Sequence, residues 1–199
     1  MPQVPPDIAS LLGSRICHDL ISPIGAISNG VELLAMSGAG PMPEIDLIAQ
    51  SVEHANARIG FFRVAFGAAS DAQRLGEPEV RQILGDVTRG SRLDIIWQPG
   101  GDAVRTEVKL AFLVINCLEA AMPRGGTITV TREGTRWTVR ADAPKMRIEP
   151  ALWETLARPG ASNGASAAEV QFLMAPLVAA DLGRGLTMEL SETRATVWF

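Results

Sequence analysis

The sequence predicts an α+β protein: an N-terminal helical hairpin that dimerises into a four-helix bundle, followed by an α/β sandwich. Three observations carry this. From Ile8 to Ala69 apolar residues recur at steps of three and four, with one break at Ser37–Pro41. From Thr127 onward short segments alternate apolar and polar side chains around glycine-containing turns. Asp71–Glu77 reads as a linker, which divides the chain into residues 1–72 and 73–199.

The first helix opens at Pro5-Pro6-Asp7, with Asp7 as N-cap, and runs from Ile8 to about Met36. Leu12, Ile16, Leu20, Ile24, Ile27, Val31 and Leu34 form its stripe. The second helix, about Glu44 to Ala69, keeps a heptad through Ile45, Ile48, Val52, Ala55, Ile59, Phe62, Phe66 and Ala69. One hairpin buries only a seam, whereas two bury a four-helix core. Leu47, Phe61 and Ala65 on the second helix, with Ile21 and Leu33 on the first, are apolar beyond the seam. That surplus predicts a homodimer.

The second unit begins with a helix over Glu79–Gly85 and a strand over Leu93–Trp97, ended by Pro99-Gly100-Gly101. Glu107–Met122 is a strongly apolar helix stopped at Pro123. Thr127–Thr131 and Trp137–Ala141 form a hairpin around Glu133-Gly134, and Ala151–Ala157 is a short helix. Pro159–Ser166 is a loop. Ser166 and Glu169 make a capping box for a helix that Pro176 should kink and Gly183 stops. Gly185–Leu190 and Ala195–Phe199 are the closing strands of a mostly antiparallel sheet with helices on one face.

Composition narrows the function classes. The chain has 199 residues, a net charge of −4 and no lysine/arginine cluster, which argues against nucleic acid and anionic lipid as partners. No stretch reaches the roughly 18 apolar residues of a membrane span. The N-terminus has no basic or apolar leader, so a cytoplasmic protein is expected. Cys17 and Cys117 are read as reduced, buried thiols, and their spacing fits no zinc motif. Trp97, Trp137, Trp153 and Trp198 are read as packing residues, and Arg136, Arg140 and Arg194 as a solvated sheet face.

The chemistry concentrates in His18-Asp19-Leu20-Ile21-Ser22-Pro23. On a helix, His18 shares its face with Leu11, Ser14, Arg15, Ile21, Ser22 and Gly25, away from the Ile16–Leu20–Ile24 stripe. An exposed imidazole is nucleophilic near neutral pH. Asp19 can accept a hydrogen bond from the ring, fixing its tautomer and offsetting positive charge that develops during transfer. Arg15, one turn earlier, can meet phosphoryl oxygens or an acidic partner. Pro23 frees the Asp19 carbonyl, and the small Ser22 and Gly25 leave room for another protein. His54 has no proline after it and is read as a solvated helix residue.

His18 through Pro23 resembles the phosphoacceptor box of sensor histidine kinases. Asn116–Ala121 followed by Gly125-Gly126-Thr127-Ile128 resembles the asparagine box and strand of their ATP-binding domain. In that pattern Ala120 replaces a magnesium-binding asparagine. Ala141-Asp142-Ala143-Pro144-Lys145-Met146 has proline and methionine where the adenine loop has glycines, and the phosphate loop is reduced to Asn163-Gly164-Ala165-Ser166. The loss of these features removes the physical basis for triphosphate binding.

The combination is similar to the ChpT-type histidine phosphotransferases. That resemblance implies a phosphorelay protein with a degenerate kinase-like sandwich, dimeric through its hairpin. His18 would be phosphorylated, with Asp19 beside it, and Leu11, Ser14, Arg15, Ile21, Ser22 and Gly25 would dock receiver domains. The partners implied are a hybrid-kinase receiver upstream and regulators of the CtrA and CpdR kind downstream. The receiver would bring its own Mg²⁺, so no cofactor or metal belongs to this chain. An ATP-dependent kinase without a sensor and a non-catalytic regulator-binding scaffold are the alternative readings.

Overall fold

The computed structural model describes residues 8–37, 43–158 and 165–199. The Asp7 cap, the Ser37–Pro41 break after Ser37 itself and most of the Pro159–Ser166 loop lie outside these residues. Helix α1 (Ile8–Ser37) continues through Pro23 and spans about 45 Å. Helix α2 (Pro43–Ala65) returns along it, four residues shorter than the heptad suggests. The two lie close enough that a Cβ on Gly30 would meet Ile48 Cγ1 at 2.5 Å.

The heptad of α2 divides between two surfaces. Ile48, Ala55 and Phe62 turn inward, half-buried or buried, while Ile45, Val52 and Ile59 are exposed. On α1, Ile24 and Val31 are exposed as well, at 57% and 53%. The exposed apolar surface is therefore part of the stripe itself, together with Ile21, Leu33 and Leu47. Phe61 and Ala65, expected to add to that surplus, are instead buried in the main core. Phe61 stacks on Phe112 with ring centroids 5.0 Å apart.

The predicted linker is partly ordered. Within it, β1 (Arg74–Leu75) pairs antiparallel with β3 (Ala103–Val104). Helix α3 (Glu77–Thr88) is longer than the sequence implied, because Pro78 sits in its first turn, where a missing N–H costs nothing. Strand β2 (Leu93–Trp97) precedes β3, and α4 (Arg105–Ala120) follows it. The remaining elements are β4 (Gly126–Glu133), β5 (Arg136–Asp142), α5 (Pro150–Ala157), α6 (Val170–Asp181), β6 (Thr187–Leu190) and β7 (Arg194–Trp198). One 3₁₀ turn, Ala167–Glu169, leads into α6, which continues through Pro176.

The five-stranded sheet has the order β2-β4-β5-β7-β6, with only β2 and β4 parallel. Ile128, Val130, Trp137, Val139, Ala141, Ala195 and Val197 are buried, in alternation along their strands except at the neighbouring Thr196. They contribute to one core with α4, which is buried continuously from Leu110 to Leu118. Val139 lies opposite Val130 on one side and Val197 on the other. The intervening threonines and arginines of β4 and β5 form the other face. Trp97, Trp137 and Trp153 are core residues, as expected, and Trp198 lies under the Arg136 guanidinium.

Two glycines fix where β4 begins. Gly125 and Gly126 have φ of +75° and +145°, and Cβ atoms there would meet the Arg92 and Asp142 carbonyl oxygens at 2.1 and 2.3 Å. The hairpin is attached at the end of α2. Arg105 donates to the Arg63 and Ala68 carbonyls, and Lys109 donates to the Gly67 carbonyl at 2.8 Å. Two cations thus satisfy carbonyls at the helix C-terminus, where the helix dipole favours positive charge. Burial, reinforced by nearby Arg105, lowers the Lys109 pKa.

Candidate functional site

His18 lies in the middle of α1, and its side chain is 85% exposed. The preceding turns place Ser14 on its face and the following ones Ile21, Ser22 and Gly25, all exposed. A Cβ on Gly25 would meet nothing within 4 Å, so this surface is open. Leu11 is half-buried.

Asp19 has two different neighbours. Its Oδ1 lies 3.2 Å from His18 Nδ1, and its Oδ2 accepts from Arg15 Nε at 2.9 Å. A carboxylate only accepts, so this contact assigns the proton to Nδ1 and leaves the Nε2 lone pair facing solvent. The imidazole is exposed, but the Asp19 and Arg15 side chains are each only 14% exposed.

Arg15 departs from the sequence expectation. It does not extend into solvent to meet a partner. Its Nη1 donates to the Ala168 carbonyl, 153 positions along the chain in the turn before α6. The same carbonyl accepts from the Gln171 side-chain nitrogen at 3.0 Å, and Gln171 is fully buried. The turn is held by the predicted capping box, in which the Ser166 N–H and hydroxyl both reach the Glu169 carboxylate at 2.8 Å. Sequence reasoning found the cap but carried no signal that it would meet α1.

Beside the site, a cleft of about 410 Å³ opens between the hairpin and α3. Asp19, Ser22 and Pro23 line it from α1, Ser51, His54 and Arg58 from α2, and Asp86, Arg89 and Ser91 from the far side. The contribution of α3 and the turn after it was not visible in the sequence, because it depends on how α3 packs beside the hairpin. On the far side Arg89 meets Asp86 at 2.5 Å, and across the cleft it meets Glu53 at 3.8 Å. Cys17 is exposed, contrary to expectation, because it falls on the open side of α1 next to His18. Cys117 is buried in α4, and burial pushes its thiol pKa well up.

The stretch that resembles a nucleotide site is tied into the fold. The Asp142 Oδ2 accepts from Arg140 at 3.0 Å and its Oδ1 from Arg194 at 2.7 Å. Partial burial opposes ionisation of Asp142, but these hydrogen bonds and the two positive charges prevail and hold its pKa below the usual carboxylate value. Met146 is buried, its N–H donates to the Glu192 carbonyl at 2.7 Å, and the Arg147 N–H donates to the Ala121 carbonyl. The cavity beside Ala120, lined also by Leu152, Trp153 and Phe172, holds about 210 Å³. Ligand sites usually enclose about 300–1,000 Å³. Among the described residues, no group of three acidic, histidine or cysteine side chains is arranged to hold a metal ion. None of the helices among them is long and apolar enough to cross a membrane.

Comparison with known proteins agrees over most of the chain. Residues 77–194 match a family model described as the histidine phosphotransferase C-terminal domain. Protein phosphotransferase ChpT of Brucella abortus (strain 2308) is 34% identical over 154 residues, covering 74% of this chain and 73% of that protein. A solved structure described as a bacterial phosphotransferase is 31% identical, with a TM-score of 0.81, over 96% of this chain and 95% of that one.

Proposed function

The chain belongs to the histidine phosphotransferase family, and on that premise we propose that it carries a phosphoryl group on His18 between receiver-domain aspartates of a phosphorelay. The observation that carries the assignment to His18 is an imidazole 85% exposed whose Nδ1 faces the Asp19 carboxylate.

In this reading a phosphorylated receiver docks over the face formed by Ser14, Ile21, Ser22 and Gly25. The Nε2 lone pair attacks phosphorus in line, and the bond from phosphorus to the receiver's carboxylate oxygen breaks with its electron pair leaving on that oxygen. Nδ1 keeps its proton throughout, and Asp19 balances the positive charge of the phospho-imidazolium. The reverse step loads the next receiver. Charge on the phosphoryl oxygens would be neutralised by Mg²⁺ held by the receiver. The receivers proposed are that of a hybrid kinase upstream and regulators like CtrA and CpdR downstream.

A second copy of this chain is the proposed occupant of the apolar surface of Ile24, Val31, Ile45, Val52 and Ile59. Two hairpins so paired make a four-helix bundle with the outward seam residues inside. We assign no ATP binding to the sandwich. The small cavity beside Ala120, the engaged Asp142 carboxylate and the buried Met146 support this. Two free thiols, one of them exposed, fit a cytoplasmic location, where thiols stay reduced.

The test is transfer of radiolabel from a phosphorylated receiver, with a parallel reaction containing labelled ATP alone. Acid-labile, base-stable label is expected from the receiver and none from ATP. His18→Ala should abolish it and His54→Ala should leave it intact. Label that survives loss of His18 overturns the assignment, and label from ATP overturns the reading of the sandwich. Stable receiver binding without transfer would leave a scaffold.

A further inference from the structure

The polar connection that starts at His18 does not end at Asp19. From Asp19 it passes through Arg15 to the Ala168 carbonyl, which Gln171 also holds. We propose that Arg15 is a positioning residue for His18: its guanidinium clamps the Asp19 carboxylate to the turn before α6, so that the sandwich sets the tautomer of the reactive imidazole. The inference rests on His18 being the phosphoacceptor, and it gives the sandwich a task that does not involve nucleotide.

The physical case begins with Asp19. A carboxylate attached to the backbone by one methylene turns about two torsions, and in water its oxygens exchange partners freely. Here one oxygen is held by Arg15 Nε, which fixes the plane and points the other at His18 Nδ1. A guanidinium suits this role because its donors form a rigid fork, so one side chain can bind a carboxylate and a carbonyl in fixed relative directions. Lysine offers the charge without the fork.

The far end of the clamp is equally well held. The Ala168 carbonyl has two lone pairs and two donors, Arg15 and the fully buried Gln171. It belongs to a turn fixed by the Ser166–Glu169 cap. Arg15 is therefore held from both sides, and at 14% exposure it has little freedom to reach a docking partner.

The tautomer matters because only a ring nitrogen with a free lone pair can attack. In free imidazole side chains the proton moves between both nitrogens. Holding it on Nδ1 keeps Nε2, the atom directed at solvent, available for each encounter.

The test uses the full chain and ¹⁵N NMR of its two histidines at a pH where both are neutral. His54 serves as the internal reference. In the unmodified protein His18 is expected mainly as the Nδ1–H form. In Arg15→Met its two forms should become comparable, and in Arg15→Lys the population should fall between. Single-turnover transfer from a phosphorylated receiver should drop by about ten-fold in Arg15→Met, by analogy with the lower range for partners that orient metal-bound imidazoles. The receiver dissociation constant should not change.

Gln171→Leu gives an independent variant at the remote end and should move the His18 tautomer in the same direction. An unchanged tautomer in folded Arg15→Met overturns the proposal. So does a loss confined to receiver affinity, which would return Arg15 to the docking surface. The NMR reading does not depend on phosphotransfer. A shifted tautomer in a protein that takes no label would sustain the clamp while removing the phosphoacceptor assignment.

Discussion

Phe61 of the hairpin lies against Phe112 of the central helix with their rings 28° from parallel and centroids 5.0 Å apart. Each ring is buried, and Phe112 also meets Trp97 edge-on at 6.4 Å. The hairpin helices therefore share one core with the sheet. Phe61→Ala is expected to destabilise the protein by about 3–5 kcal/mol in urea denaturation, the usual cost of emptying a buried aromatic site. A loss below about 1 kcal/mol would mean that the site collapses without penalty.

The exposed half of the hairpin's heptad should behave as an interface. Light scattering is expected to give a mass near twice 21.2 kDa for the unmodified chain. Ile59→Glu, which places a charge among Val52, Ile45 and the α1 stripe, should give a monomer with unchanged helical circular dichroism. A monomeric unmodified protein at micromolar concentration would refute the proposed bundle.

Asp142 supplies a pH-dependent contribution with a defined sign. Its folded-state pKa is lowered from 3.8, so the stabilisation is complete above that unfolded value and is lost as pH falls through the folded one. Asp142→Asn should be less stable than the unmodified protein at neutral pH. With the carboxylate 37% exposed, screening limits the difference to about 1 kcal/mol or less. Denaturation curves measured down a pH series should converge below pH 3.8. A constant gap would place the effect elsewhere.

Glycines at two positions should respond in opposite directions. Gly126→Ala is expected to cost more than about 2 kcal/mol, because the backbone is left-handed there and the new carbon would strike the Asp142 carbonyl. Gly85→Ala, in α3 with nothing within 4 Å, should stabilise by about 0.5–1 kcal/mol through helix propensity. Melting temperatures of the two variants would check both signs.

The sequence was most informative where period and local chemistry act within one element. The α1 stripe, the capping box at Ser166, the hairpin around Gly134 and the openness of His18 all follow from neighbours a few residues apart. It was less informative where an outcome depends on which surface another element covers. Phe61 and Ala65 have the same apolar character as Val52 and Ile59, yet one pair meets α4 or the core while the other faces out. Arg15 reads as a free cation until the turn at Ala168 is placed beside it. The β1–β3 pair was missed because two-residue strands have no period to detect. Cys17 was misplaced because a small apolar residue beside the stripe gives no sign of its side.

The clamp between Arg15 and Ala168 also bears on biosynthesis. The carbonyl that holds Arg15 is added 153 residues after Arg15 itself, well after His18 and Asp19. A nascent or truncated chain can form α1 and display the imidazole long before the support for its neighbouring carboxylate exists. The imidazole of His18 is thus synthesised well before the turn that completes its surroundings. A chain that has the hairpin but ends before Ser166 should then be a poor competitor for receivers' phosphoryl groups, which transfer assays on such truncations would measure directly.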